Sequence, residues 1–296
     1  MTWPLVFQLV VNGLLQATTL LLIALGVSVL YSTQRFFNFV HGAIFALAAY
    51  VAFAAAVCLG NSFWASAILG VVAAALAGAV CERLVFFPLR TGGASPAMQM
   101  LASLGLYVVI INLISLSFGD DIRSLWSRPI QEGYSVWKAR VSPAQLVIAA
   151  GSVVFTGVTV ALLQKTRLGR TLRAAAGNPA LARCAGLNER RVIMTGTVLG
   201  SALAGAAGVL MALDMGLTPT MGFRALLLGI VVCIVGGMGS LLGIAVASLF
   251  LGLAMNLGVL YVASYWQDAI AFGIMGLALL VRPQGIFGGN YGRADR

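Results

Sequence analysis

With 60% hydrophobic residues, 9% charged residues and a mean hydropathy of +1.00 over 296 residues, the chain is too apolar for a soluble globular protein. Its net charge of +10 comes from basic residues grouped between apolar runs, not spread along one soluble face, which argues against a nucleic-acid partner. The expected class is an all-α polytopic membrane protein forming one transmembrane domain over residues 1–296.

Hydropathy places spans near residues 5–31, 39–59, 63–81, 97–118, 143–163, 192–213, 223–238, 240–260 and 267–281. That predicts a bundle of eight or nine transmembrane helices in contact with membrane lipid. No Lys or Arg occurs from Met1 to Leu30, so the first segment lacks the basic start of a cleaved leader and reads as a retained span. Where the second span begins, Asn38, Phe39, Val40, His41 and Gly42 form a polar cluster. Asn38 suits a helix cap and Gly42 suits close packing; the alternative is a cytoplasmic gate made by Asn38, His41 and Gly42. His41 is the chain's one histidine and has no visible carboxylate partner in the sequence, a thin basis for proton coupling.

Residues 119–142 form a polar loop expected on the periplasmic side. They mix Asp120, Asp121, Arg123, Arg128, Glu132, Lys138 and Arg140 with Trp126, Tyr134 and Trp137, a composition suited to the headgroup boundary or to docking an extracytoplasmic partner.

The most charged stretch runs from Lys165 to Arg191 and holds 7 of the 18 Lys and Arg residues against one acid, Glu189. Such an island lies outside the bilayer, and a positive one faces the cytoplasm. Alternation from there puts the N-terminus outside and the C-terminus inside, with 13 of the 18 basic residues inside. Within the island sits a short helix signal: Asn178 as N-cap, Pro179 at the first helical position, Ala180 to Ala185 as body, and Gly186 just past the end. A helix under two turns long is unstable alone in water, so it is expected to dock on something.

Farther on, Gly196, Gly200, Ala204 and Gly208 recur every four residues and make a helical face with almost no side chain, built for tight packing. Gly239, Gly243 and Ala247 repeat the device. The spans at 223–238 and 240–260 are joined only by Gly236, Gly237 and Gly239, so the first reads as a half-length or re-entrant helix.

No catalytic constellation is visible. The carboxylates bordering the spans are Glu82, Asp214 and Asp268, and no serine sits in a GxSxG turn. Cys58, Cys81, Cys184 and Cys233 lack any metal-binding or redox spacing. Lys138 and Lys165 follow tryptophan and glutamine, so no ATP-binding GxxxxGK[ST] loop is present and the chain carries no cofactor of its own.

Several blocks then carry a family resemblance: Asn38 to Gly42; Thr166-Arg167-Leu168-Gly169-Arg170; Arg173 through Gly177-Asn178-Pro179 to Ala185-Gly186-Leu187-Asn188; Gly222-Phe223; Gly236-Gly237-Met238-Gly239-Ser240; and Arg282 to Phe287. In order and over nearly the whole chain, they resemble the LivH-type permease subunits of bacterial high-affinity branched-chain amino acid ABC importers. The chain departs from that pattern at Gly177, where many relatives carry an acid, and in having Pro179 directly after Asn178.

The resemblance implies an inner-membrane permease with four kinds of partner: a second, LivM-like permease, two P-loop ATPases that hold ATP and magnesium, a periplasmic substrate-binding protein, and a small-molecule substrate. It makes residues 164–191 a cytoplasmic coupling loop, with Gly169, Arg170, Arg173, Asn178, Pro179, Ala182, Gly186 and Leu187 as the ATPase-coupling set. Urea, short amides, other amino acids and aromatic acids are alternative substrates within that class. A stand-alone secondary transporter needs an intramembrane ion site, for which the spans offer little beyond His41, Asn112 and Asn256.

Overall fold

The structure, a computed structural model, describes residues 3–58, 60–125, 134–136 and 139–287. It is helical apart from one short hairpin. The helices are α1 (Trp3–Gln34), α2 (Val40–Cys58), α3 (Phe63–Cys81), α4 (Phe87–Thr91), α5 (Pro96–Phe118), α6 (Pro143–Lys165), α7 (Arg167–Gly177), α8 (Pro179–Cys184), α9 (Glu189–Met215), α10 (Met221–Gly236), α11 (Leu241–Gly258) and α12 (Gln267–Val281). Strands β1 (Tyr134–Val136) and β2 (Ala139–Val141) pair antiparallel between α5 and α6.

Among the described residues, eight helical segments are long and apolar enough to cross a membrane. α10 is not one of them: its 16 residues span about 24 Å, short of a hydrocarbon core of about 30 Å. It stands where the half-length or re-entrant element is expected at 223–238, but it lies at Met221–Gly236 and is longer than half a span. It stops because Gly237 and Gly239 take φ values of 96° and 85°, turning the chain into α11, which Ser240 caps through the Gly243 N–H at 3.1 Å. Similar caps start α5 and α6. Ser95 precedes Pro96 at the head of α5, and Ser142 with Gln145 forms a capping box ahead of Pro143 in α6.

α1, α2, α9 and α10 form the interior, 10 of the 16 residues of α10 being buried. In their most apolar windows α1, α2 and α9 are 67%, 67% and 72% buried, against 22% for α3, 17% for α5, 22% for α6 and 6% for α12. The outer helices turn Leu, Ile and Val outward, as Ile68, Leu101, Val154 and Leu280 show. Lipid tails are as apolar as these side chains, so nothing drives them inward.

Glycines set how closely the inner helices approach. Gly196 of α9 lies on Thr33 of α1, and Gly200 lies on Leu30 and the Gly26 carbonyl. Gly208 instead meets the backbone of Phe45 in α2, so the expected stripe serves two neighbours, not one. Gly42 of α2 faces Gly222 of α10, Gly236 of α10 faces Gly243 of α11, and Gly252 of α11 faces Gly13 of α1. Backbone contacts thus close a ring through α1, α9, α2, α10 and α11.

Two features depart from the hydropathy reading. The third span continues past residue 81 through a π-helical turn, Glu82–Phe86, into α4. The cause is Pro88: it has no N–H for the Leu84 carbonyl, and its ring crowds that oxygen, so the helix widens ahead of it. The loop at 119–142 holds the β-hairpin, tied down by Gln8 of α1, which bonds the Arg140 backbone twice at 3.0 and 2.7 Å. Arg123 bridges Leu217 in the α9–α10 connection. Trp126, Arg128, Glu132, Trp137 and Lys138, named for the membrane boundary, lie outside the described residues.

Leucine at Gly208 would overlap the Phe45 backbone, whereas Gly157 of α6 has open space around it. Gly208→Leu is expected to destabilise the purified protein by about 1–3 kcal/mol or more and Gly157→Leu to leave it unchanged, as read by thermal melting in detergent. Equal melting of the two variants would refute the backbone contact.

Candidate functional site

The basic loop consists of α7, α8 and the turns around them. Thr166 caps α7 by accepting the Gly169 N–H at 3.1 Å. Gly169 is buried against the carbonyls of Leu162 and Leu163, where any side chain would collide, so α7 can fold back on the end of α6. Leu172 fixes the other side by packing with Val29, Leu163 and Val192. Arg167, Arg170 and Arg173 stay exposed on the opposite face. This amphipathic helix was not foreseen, since a scan for long apolar runs passes over eleven residues with three arginines.

α8 follows directly, and its boundaries match the sequence signal. Asn178 accepts the Leu181 N–H at 3.0 Å, and Pro179 takes the first helical position. At the far end the Gly186 N–H reaches the Arg183 carbonyl at 2.9 Å and the Leu187 N–H reaches the Ala182 carbonyl at 3.0 Å. With Gly186 at φ 81°, this is a Schellman closure. Ala182 is buried, while Leu181 is 69% exposed and points away from the bundle. A cavity of about 110 Å³ lies behind α8, lined by Arg35, Arg90, Gln99, Ala182, Leu187 and Glu189 among others.

Beyond that cavity is a buried polar cluster. Glu82, 2% exposed, pairs with Arg90 at 3.0 Å and accepts from Gln34 Nε2 at 3.1 Å. Gln34 also donates to Thr197 Oγ1 at 2.9 Å and accepts from Asn38 Nδ2 at 3.1 Å. Asn38 in turn accepts the Val40 N–H at 3.0 Å and so tethers the start of α2. The π-helical turn makes the ion pair possible. Positions i and i+8 lie about 80° apart on a regular α-helix, and the wider turn absorbs one residue and swings Arg90 back over Glu82. Arg190, at the start of α9, stacks on Phe87 with 4.1 Å to the ring centroid. The cluster therefore joins α1, α2, α3, α4 and α9.

Along nearly its whole length the chain has relatives of one kind. Residues 9–279 match the family model described as branched-chain amino acid transport system / permease component. The chain belongs to this family. It is 30% identical over 294 residues, 95% of each chain, to the high-affinity branched-chain amino acid transport system permease protein LivH of Escherichia coli K12. It is also 30% identical over 297 residues to BraD of Pseudomonas aeruginosa, and 25% identical over 304 residues to a probable LivH of Methanocaldococcus jannaschii. The first match covers 95% of BraD and the second 93% of the archaeal protein. The chain is a multi-pass membrane transport permease, of a family whose members are transport subunits and not enzymes.

In this permease the residues named from sequence separate into distinct places. Asn38 belongs to the polar cluster. His41, 2% exposed, packs on Gly26, and neither of its ring nitrogens has a hydrogen-bond partner. Gly42 makes the crossing with α10. Gly236 packs on α11, whereas Gly237 and Gly239 serve the turn and not a helix face. Sequence reasoning left out Gln34, Arg35, Arg90 and Thr197 and treated Glu82 as borderline. The available signal was a carboxylate and an arginine flanking Pro88 inside one apolar run.

Removing one partner of a buried pair strands the other charge. Glu82→Gln is therefore expected to cost on the order of 2–3 kcal/mol, below the fully buried case because the Arg90 side chain keeps 23% of its surface. A Glu82→Gln, Arg90→Met double variant is expected to melt closer to the native protein than the single one. Native-like melting of the single variant would show that the pair contributes nothing.

Proposed function

We propose that the chain is a permease subunit of a binding-protein-dependent, ATP-driven importer of branched-chain amino acids in a bacterial inner membrane. Its partners on this reading are a second permease of LivM type, two P-loop ATPases carrying ATP and magnesium, and a periplasmic binding protein that delivers the substrate. The observation that carries the reading is α8: a capped and closed helix of six residues, held at the edge of the bundle with Leu181 exposed, in a chain of this permease family. Docked in a groove of an ATPase, such a helix would pass the motion of ATP-driven closure to the spans. The basic residues argue for a cytoplasmic loop, an outer N-terminus and an inner C-terminus.

On the same reading the α1–α2 connection, with Asn38, His41 and Gly42, is the inner gate. Neither ring nitrogen of His41 has a hydrogen-bond partner and the Glu82 oxygens are engaged by Arg90 and Gln34, so among the described residues no carboxylate is bonded to His41 to relay a proton.

Gly186→Pro removes the N–H that bonds Arg183 and forbids the left-handed conformation that closes α8. Uptake in cells is expected to be lost together with ATPase copurification, while the amount of permease in the membrane stays constant. Normal uptake with a retained ATPase would rule out docking through α8.

Cys184 is an exposed free thiol on α8 and reports orientation directly. In a Cys58→Ser background, a membrane-impermeant maleimide is expected to label Cys184 in inside-out vesicles only, and more slowly when the ATPase is bound. Labelling from the periplasmic side would reverse the topology. A Val40→Cys variant in a Cys58→Ser, Cys184→Ser background reads the gate, which is wrongly assigned if that thiol reacts only from the periplasm.

A further inference from the structure

α1 ends in an unusual way. A helix that closes with a left-handed residue generally has glycine there, because a side chain is strained in that conformation. Here the residue is Arg35, at φ 65°, the single non-glycine residue of positive φ among those described. Its N–H closes the helix on the Tyr31 carbonyl at 2.9 Å. Its guanidinium leaves α1 and donates to the carbonyl oxygen of Ala176, in the last turn of α7. Carbonyls in a helix's last turn lack partners within the helix and carry its negative pole, so a cation is the fitting donor. No carboxylate among the described residues pairs with Arg35.

The neighbouring residue faces the other way. Gln34 is buried and bonds Glu82, Thr197 and Asn38, and Asn38 holds the start of α2. Two consecutive residues therefore connect the basic loop on one side with the polar cluster on the other. A displacement of α7 pulls on Arg35, turns the strained backbone beside it, and changes the bonds Gln34 can keep.

We infer that Arg35 is a positioning residue for energy coupling: it tethers α7 to the end of α1 and carries movement of the basic loop into the Gln34–Glu82–Asn38 cluster and the start of α2. This rests on the reading that α8 docks on an ATPase.

The test uses the complete complex in liposomes with its binding protein, comparing Arg35→Ala, Arg35→Gly and Arg35→Lys. The readouts are ATPase retention, melting temperature, and substrate moved per ATP hydrolysed. Arg35→Gly relieves the backbone while deleting the tether, so it is expected to melt at or above the native temperature and yet move about three- to tenfold less substrate per ATP. Arg35→Ala should show the same loss with the ATPase retained. Lysine keeps a cationic donor and should restore most of the ratio. A purely structural residue would instead lose stability and transport together. The proposal is overturned if Arg35→Gly and Arg35→Ala match the native transport-to-ATP ratio, or if Arg35→Lys is as impaired as alanine. A native complex that holds no ATPase overturns the docking reading beneath it, and that outcome is distinct from either result.

Discussion

Inside a bilayer no water drives helices together, so a many-helix permease coheres only where backbones approach closely enough for dispersion contacts to add up. The glycine crossings meet that requirement. Gly196 and Gly200 draw α9 onto α1, Gly208 draws it onto α2, and the pairs Gly42 with Gly222, Gly236 with Gly243, and Gly252 with Gly13 close the ring. The polar cluster around Glu82 sits beside that frame. Without it the α1–α2 connection would have no wall to be held against.

The same dry interior explains the form of the polar cluster. A lone carboxylate at Glu82 would be costly, so both its oxygens are engaged, and its partner Arg90 keeps a path to the cavity behind α8. Pro88 is the local cause. By opening the helix into a wider turn it breaks regular spacing and brings the two charges over one another. A cluster spread over five helices is able to register a shift in any of them, which a single pair on one helix cannot do.

The basic loop has the reverse character. α7 is anchored by Leu172 and Gly169, whereas α8 exposes Leu181 and relies on local devices, the Asn178 cap and the Gly186 closure, for its shape. Such a helix is preformed and open to a partner. The bond from Arg35 to Ala176 ties the last turn of α7 to the end of α1.

Features governed by near neighbours in the chain could be read in advance. Span positions, the caps of α8 and the short α10 follow from hydropathy, Asn-Pro and glycine signals, all of which act within a few residues. The helix α7 escaped because its apolar face is only a few residues wide, and the two-sided use of the α9 glycines escaped because periodicity shows a bare face but not which helix fills it. The polar cluster was decided by tertiary structure alone. Gln34, Glu82 and Thr197 are far apart in sequence and unremarkable singly, and their hydrogen bonds exist only because glycine contacts bring α1, α3 and α9 together. Sequence by itself determined which segments enter the membrane and where the short helix α8 begins and ends. Which buried groups meet depended on long-range packing that no local pattern encodes.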